Sequence, residues 1–124
     1  MKYVITTCSK GKSDEKRLLL AVDRYTGKAI QKVRDISTNE KLPMLIFSGL
    51  FGFLKSTDLI PNYDYLLKDI SGEFLEKIKL QANQLQISEL DFYHENGPNW
   101  KPYIEVIDKT CQDLNIKLNH FDIN

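Results

Sequence analysis

The sequence predicts an α/β domain in which helices cover a mostly parallel sheet of about four strands. Three observations predict it. Short strand-like runs occur at residues 3–7, 44–47, 90–93 and 116–121, the first of them β-branched or aromatic throughout. Between them lie stretches with apolar residues at helical spacing, and glycine- or proline-bearing turns stand where one pattern gives way to the other. Strands separated by helices in this order imply right-handed crossovers.

Tyr3, Val4, Ile5, Thr6 and Thr7 read as a buried parallel strand that ends in a polar, glycine-containing loop. From Ser13 or Asp14 the pattern turns helical through Leu18, Leu19 and Val22. Thr26-Gly27 interrupts it, and Ala29, Ile30 and Val33 resume it, so two short helices are expected with a joint at 25–27. Residues 39–43 form a polar connection into the second strand, which ends at Ser48-Gly49.

Residues 50–67 hold Gly52, Pro61 and Asn62 among large apolar side chains and read as a packed, irregular segment that shapes a pocket. Ser71 is placed to cap a helix with Phe74, Leu75, Ile78, Ala82 and Leu85 on one face. The third strand follows, then a turn at 94–98. Pro102 suits the first turn of a last helix carrying Tyr103, Ile107, Cys111 and Leu114, and 116–121 closes the sheet. The whole is expected to be one domain over 1–124, a three-layer Rossmann-like sandwich.

Composition narrows the function. The chain is 42% hydrophobic and 27% charged, as in ordinary soluble domains. It lacks a run of about 18 apolar residues that would span a bilayer, and its N-terminal apolar stretch is too short for a signal peptide, so a cytoplasmic location is expected. Cys8 and Cys111 are expected as free thiols. Seventeen basic residues balance seventeen acidic ones, which removes any general pull toward nucleic acid or anionic membrane. Anion binding must therefore be local.

Three loops start at the carboxyl ends of strands, where α/β sheets gather ligands: 8–12, 48–54 and 94–98. In Cys8-Ser9-Lys10-Gly11-Lys12 a strand feeds a short loop and then a predicted helix, so backbone N–H groups, a helix dipole and two ammonium groups can converge on a phosphate. The competing reading is a solvated turn, because the single glycine does not match a P-loop. Cys8 beside lysines has the setting of a nucleophilic thiol, against a small packed residue. Asp23 and Tyr25 stand at the helix joint, as acid or base and as stacking platform, against solvation and core packing.

Ser48 and Gly49 permit close backbone approach to a ligand, or merely make the turn. Phe51 and Tyr63 can flank a ring. Asp58 and Asp64 are carboxylates near the pocket, with Asp58 read as a backbone cap and Asp64 as a candidate acid or base. His94, with Glu95 and Asn96, carries the chemistry for proton transfer, against a plain surface turn. His120 reads as structural and Trp100 as a cover over the core. No cluster has metal-ligand spacing, and neither metal nor cofactor is expected.

Three blocks of these residues resemble a family of small bacterial and phage domains of the DUF6884 type, which are similar at a distance to the peroxide-stress protein YaaA family. They are Cys8-Ser9-Lys10-x-Lys12; Ala21-x-Asp23-x-Tyr25-x-Gly27; and Leu45-Ile-Phe-Ser48-Gly49-Leu-Phe51-Gly52-Phe-Leu54 followed by Asp58, Ile60, Tyr63, Asp64 and Leu67. The resemblance covers residues 4–67. It departs at Gly49 and Leu50, where the family usually carries alanine and lysine, and the second half of the chain matches loosely. It implies an α/β domain connected with nucleotides or nucleic-acid bases, related to base-modification or glycosidase-like enzymes.

Three functions follow as expectations. The first is a nucleotide or nucleobase enzyme, or a domain derived from one. The 8–12 loop holds a phosphate-bearing ligand, Tyr25 or Phe51 stacks on its ring, and Asp64, Asp23 or His94 acts as acid or base in N-glycosidic bond cleavage or transfer. The second is a nucleic-acid-binding module gripping phosphates with Lys10, Lys12, Lys16 and Arg17, which the zero net charge disfavours. The third is a small interaction or inhibitor protein that sequesters a nucleotide or binds a partner through 50–67. The first rests on a geometric expectation: the three loops meet on one rim of the sheet.

Overall fold

β-Branched and aromatic residues that are buried on both sides belong in the middle of a sheet, and residues 2–7 take that place. The computed structural model describes residues 1–8, 11–63, 65, 67 and 72–123. In chain order its elements are β1 (Lys2–Thr7), β2 (Leu19–Leu20), α1 (Ala21–Arg24), α2 (Lys28–Glu40), β3 (Met44–Ser48), β4 (Gly52–Lys55), β5 (Leu59–Ile60), α3 (Gly72–Gln84), β6 (Glu89–His94), α4 (Lys101–Leu114) and β7 (Lys117–Asp122). The fold is mixed α/β, with a five-stranded sheet in the order β4-β3-β1-β6-β7 and four helices. All its pairings are parallel except β3 with β4, and β2 pairs antiparallel with β5 in a separate ribbon.

The strand alternation sorts side chains into two cores. Tyr3 and Ile5 of β1, with Leu45 and Phe47 of β3, pack with Ile78 of α3 and with Tyr103, Val106, Ile107 and Cys111 of α4. Val4, Met44 and Ile46 pack with Ala21 and Val22 of α1 and Ile30 and Val33 of α2. A one-residue slip of β1 would exchange the two sets, so the register Ile5↔Leu45 and Ile5↔Phe92 is held by burial on both sides. Each of these large side chains contributes about 1.5–3 kcal/mol by leaving water.

Helix ends follow local chemistry. α2 stops where Lys41 takes a left-handed conformation (φ 55°) and α4 where Asn115 does (φ 56°), with Leu42 N–H bonding Ser37 O and Ile116 N–H bonding Cys111 O. Pro102 sits in the first turn of α4, where its missing N–H costs nothing. Ser71, expected to cap α3, lies outside the described residues.

Three expectations are corrected. The helix expected from Ser13 or Asp14 is only the four residues of α1, because the carbonyls of Ser13, Glu15 and Arg17 turn onto the buried Arg24 guanidinium instead of along a helix axis. The connection expected at 39–43 is shorter, since α2 runs to Glu40. The segment 50–67 is not irregular throughout: β4 folds back on β3, raising the sheet to five strands, and β5 joins β2. Gly52 makes that hairpin possible with φ 78°, a conformation open to glycine. Among the described residues no helix is long and apolar enough to cross a membrane.

Because β1, β3 and β6 run parallel, their carboxyl ends, Thr7, Ser48 and His94, lie on one rim. The segments that follow β1, β3 and β6 therefore start from the same side of the sheet, as expected, although residues 52–54 return to it as β4 and residues 9 and 10 lie outside the described residues.

Candidate functional site

Cys8 continues β1 for one more step, its N–H bonded to Phe47 O at 2.9 Å, so the thiol stands at the rim between β1 and β3. Three tyrosines from separate parts of the chain gather there: Tyr25 after α1, Tyr63 after β5 and Tyr103 in the first turn of α4. Cys8 Sγ is 3.8 Å from Tyr103 Oη, whose oxygen also accepts the Leu67 N–H at 3.0 Å. Tyr63 Oη is 3.0 Å from Ser48 Oγ and is hydrogen-bonded to Tyr25 Oη. Phe51 meets the Tyr63 ring edge to face at 5.2 Å.

The hydroxyl chain has a direction. Ser48 Oγ accepts the N–H groups of Leu50 and Phe51, each at 3.1 Å. Those two bonds use both lone pairs of the hydroxyl, so the Ser48 proton is donated to Tyr63 Oη. Burial first, and then its bond to Tyr63, pushes the Tyr25 phenol well above its ordinary range, so Tyr25 keeps its proton at neutral pH. Burial, with the neighbouring Cys8 next, pushes Tyr63 up to about 12. Tyr103 is raised by the same two causes in the same order. The thiol is therefore bordered by neutral phenols that keep their protons at neutral pH.

Lys12 caps this group. Its backbone bridges to Tyr25, which brings Nζ to 4.8 Å from the Tyr63 ring centroid and 5.9 Å from that of Tyr25. Among the described residues no carboxylate pairs with this ammonium. Gly11 supports the bridge by bonding the Thr26 N–H through its carbonyl at 2.9 Å; a Cβ there would come within 2.9 Å of Thr26 Oγ1.

The structure thus brings together Cys8, Lys12, Tyr25, Ser48, Phe51 and Tyr63 of the residues singled out in the sequence, with Gly11 beside them. It places others differently. The space over Gly49 is filled by Leu67, whose Cβ would lie 2.8 Å from an added methyl, so this glycine serves close packing. Asp23 faces solvent in α1 and its carboxylate is 3.6 Å from Arg34. Asp58 caps backbone as expected, accepting the Lys55 N–H at 2.8 Å. Ser9, Lys10 and Asp64 lie outside the described residues.

Two expectations about chemistry are corrected. The 8–12 loop does not run into a helix, because residues 11–18 are extended or bent, so it has no helix dipole behind it. His94 is buried with both ring nitrogens engaged, Nδ1 with Glu95 O at 2.9 Å and Nε2 with His120 Nδ1 at 2.8 Å, and has no free nitrogen to offer a ligand. Both cysteines are free thiols, as expected.

Sequence reasoning missed Tyr103 and Arg24. Tyr103 fits the apolar face of α4, and only its reach to Cys8 reveals a polar role. Arg24 has the pattern of a surface helix residue, yet it is fully buried, donating to the carbonyls of Ser13, Glu15, Arg17 and Ile60. No family model, curated protein or solved structure matches the chain.

Proposed function

We propose that this domain is a nucleotide- or nucleobase-handling enzyme, or a domain derived from one, whose ligand sits on the rim between β1 and β3 with Cys8 facing it. The observation that carries the reading is the hydroxyl chain in which Ser48 donates to Tyr63, itself bonded to Tyr25, beside the Cys8 thiol. Fixed phenol protons suit the carbonyl and ring-nitrogen acceptors of a base, and aromatic edges at Phe51, Tyr25 and Tyr63 suit its plane. The Lys12 ammonium supplies the contact for a phosphate. The reaction class is N-glycosidic bond cleavage or transfer. With Asp23 drawn to Arg34 and His94 closed by its own bonds, Cys8 and the phenols are the described groups that remain for it.

The same reading takes the fold as a three-layer Rossmann-like sandwich, supported by the two cores on opposite sides of the sheet. It takes the chain as a relative of the DUF6884 and YaaA-type domains and its location as cytoplasmic. The test is thermal unfolding at high salt with a series of nucleosides and mononucleotides, together with chromatography for released base. A ligand that binds the folded state raises Tm, and at a given concentration a tighter ligand raises it further. The expected result is stabilisation that Lys12→Gln and Tyr63→Phe each weaken, and base release that Cys8→Ser abolishes. No shift with any member of the series would reject the site.

One observation favours a second reading, that of an interaction protein. On the β2–β5 ribbon the register partners Leu20 and Leu59 are 36% and 61% exposed, and Leu18 beside them is 56% exposed. Charged substitutions there that abolish co-purification of a partner, with no nucleotide response in the wild type, would favour it. Lys16 and Arg17 give the nucleic-acid reading little support, since Arg17 Nε is paired with Glu15.

A further inference from the structure

We infer that the two histidines of the chain hold one proton in common, and that this proton latches the edge strand β7 to β6 and α4. The chain has only His94 and His120, and they are bonded to each other across 26 residues, His94 Nε2 to His120 Nδ1 at 2.8 Å. The outer nitrogens are also engaged: His94 Nδ1 lies 2.9 Å from Glu95 O and His120 Nε2 lies 3.0 Å from Asp108 Oδ1.

Counting protons decides the state of this chain. A carbonyl oxygen only accepts, so His94 Nδ1 carries hydrogen. A carboxylate only accepts, so His120 Nε2 carries hydrogen. The inner contact needs one hydrogen between its two nitrogens. The bonds at Glu95, between the rings and at Asp108 thus take three protons, whereas two neutral imidazoles carry one each. Drawing the extra proton on the Asp108 oxygen leaves the total unchanged. A fourth proton would set N–H against N–H at the inner contact. All three bonds coexist only when the pair holds a single added proton.

The surroundings suit that charge. Among the described residues, Asp108 of α4 is bonded to His120, and Asp122 of β7 is the register partner of His94. The Phe92 ring lies 4.6 Å from His94 and 5.9 Å from His120, and the Trp100 ring closes the side toward α4 at 6.4 Å from His94. None of these groups is a cation.

The bonds join three elements at a weak place. β7 is an edge strand with a single neighbour in the sheet, and four of its six residues are exposed. His120 is its tie to α4 through Asp108. Raising the pH removes the shared proton and one of the three bonds with it; strong acid adds the fourth proton and opens the inner contact. The latch is closed in a window of pH and loosens on either side.

The test is made on the full, tag-free chain, whose imidazole nitrogens all belong to this pair. Imidazole 15N spectra at neutral pH, read together with the Asp108 carboxyl 13C shift, are expected to show three protons on the ring nitrogens and that carboxyl; two would overturn the inference. Amide exchange of residues 118–122, corrected for intrinsic rates, is expected to be slowest in the window and to quicken by about tenfold at higher pH, the opening that loss of one hydrogen bond allows. His120→Gln should remove that pH dependence, while Asp108→Asn should narrow the window. A flat profile in the wild type would overturn the latch even if neither variant folds.

Discussion

Cys8 Sγ lies 3.8 Å from Tyr103 Oη, joining the end of the central strand to the first turn of the last helix across 95 residues. The same hydroxyl receives the Leu67 N–H, which is buried. Tyr103→Phe keeps the ring against Phe47 but leaves that N–H without its acceptor. The expected loss is about 1–3 kcal/mol, the cost of an unsatisfied buried donor, read by urea denaturation with an unchanged m value.

The two thiols should differ in reactivity. Cys8 is partly exposed at the rim, whereas Cys111 is buried in α4, where burial and then the nearby Asp108 push it up to about 12. The native protein is expected to take up one equivalent of an alkylating reagent at neutral pH and the second only on unfolding, as read by mass spectrometry. Cys8→Ser should leave the native protein unlabelled.

Stability should fall in alkali. Tyr63, ordinarily at 10.0, and Cys111, ordinarily at 9.0, are both pushed up to about 12 in the folded chain. Their folded forms hold protons that the unfolded chain has released, so their contribution is complete below pH 9.0 and is lost as pH rises to about 12. Tyr25 and Tyr103 act in the same direction. Urea denaturation at stepped pH should show this decline, and Tyr63→Phe should make it shallower above pH 10.0.

Arg24 should be among the most sensitive positions. Arg24→Met leaves four carbonyls from the 13–17 segment and β5 without their donor, at an expected cost of about 3 kcal/mol by chemical denaturation. Arg24→Lys should recover part of this, because an ammonium cannot reproduce the spread of a guanidinium.

Gly52→Ala should strain the β3–β4 hairpin. The residue has φ 78°, and an added Cβ would fall 2.2 Å from Gln81 Oε1, the acceptor for Phe53 N–H at 2.8 Å. The expected loss is about 1–3 kcal/mol, checked by thermal and urea unfolding.

Much of the fold was readable because its strongest signals are local. The runs at 3–7, 44–47, 90–93 and 116–121 became β1, β3, β6 and β7, and the joint at 25–27 separates α1 from α2. What escaped depended on distant partners. β4 is a short run, Gly-Phe-Leu-Lys, with three buried residues in succession and no alternation to announce it. The helix expected from Ser13 or Asp14 failed because a guanidinium competes for its carbonyls, and nothing near Arg24 in sequence says that it is buried. In the site, Cys8, Lys12, Ser48 and Phe51 were legible as loop chemistry at strand ends, Tyr25 as part of the helix joint and Tyr63 as part of the 50–67 segment. Tyr103 was not, since a tyrosine on an apolar helix face has the spacing of a core residue.

The hairpin after Ser48 does more than reverse the chain. Its two amides fill the lone pairs of one small hydroxyl, and that decides that the Ser48 proton points to Tyr63. The polarity of the rim is in this sense inherited from a turn. Any movement that draws the Leu50 and Phe51 N–H groups away would let the sequence of donors and acceptors reverse, changing what the site recognises without displacing an aromatic ring.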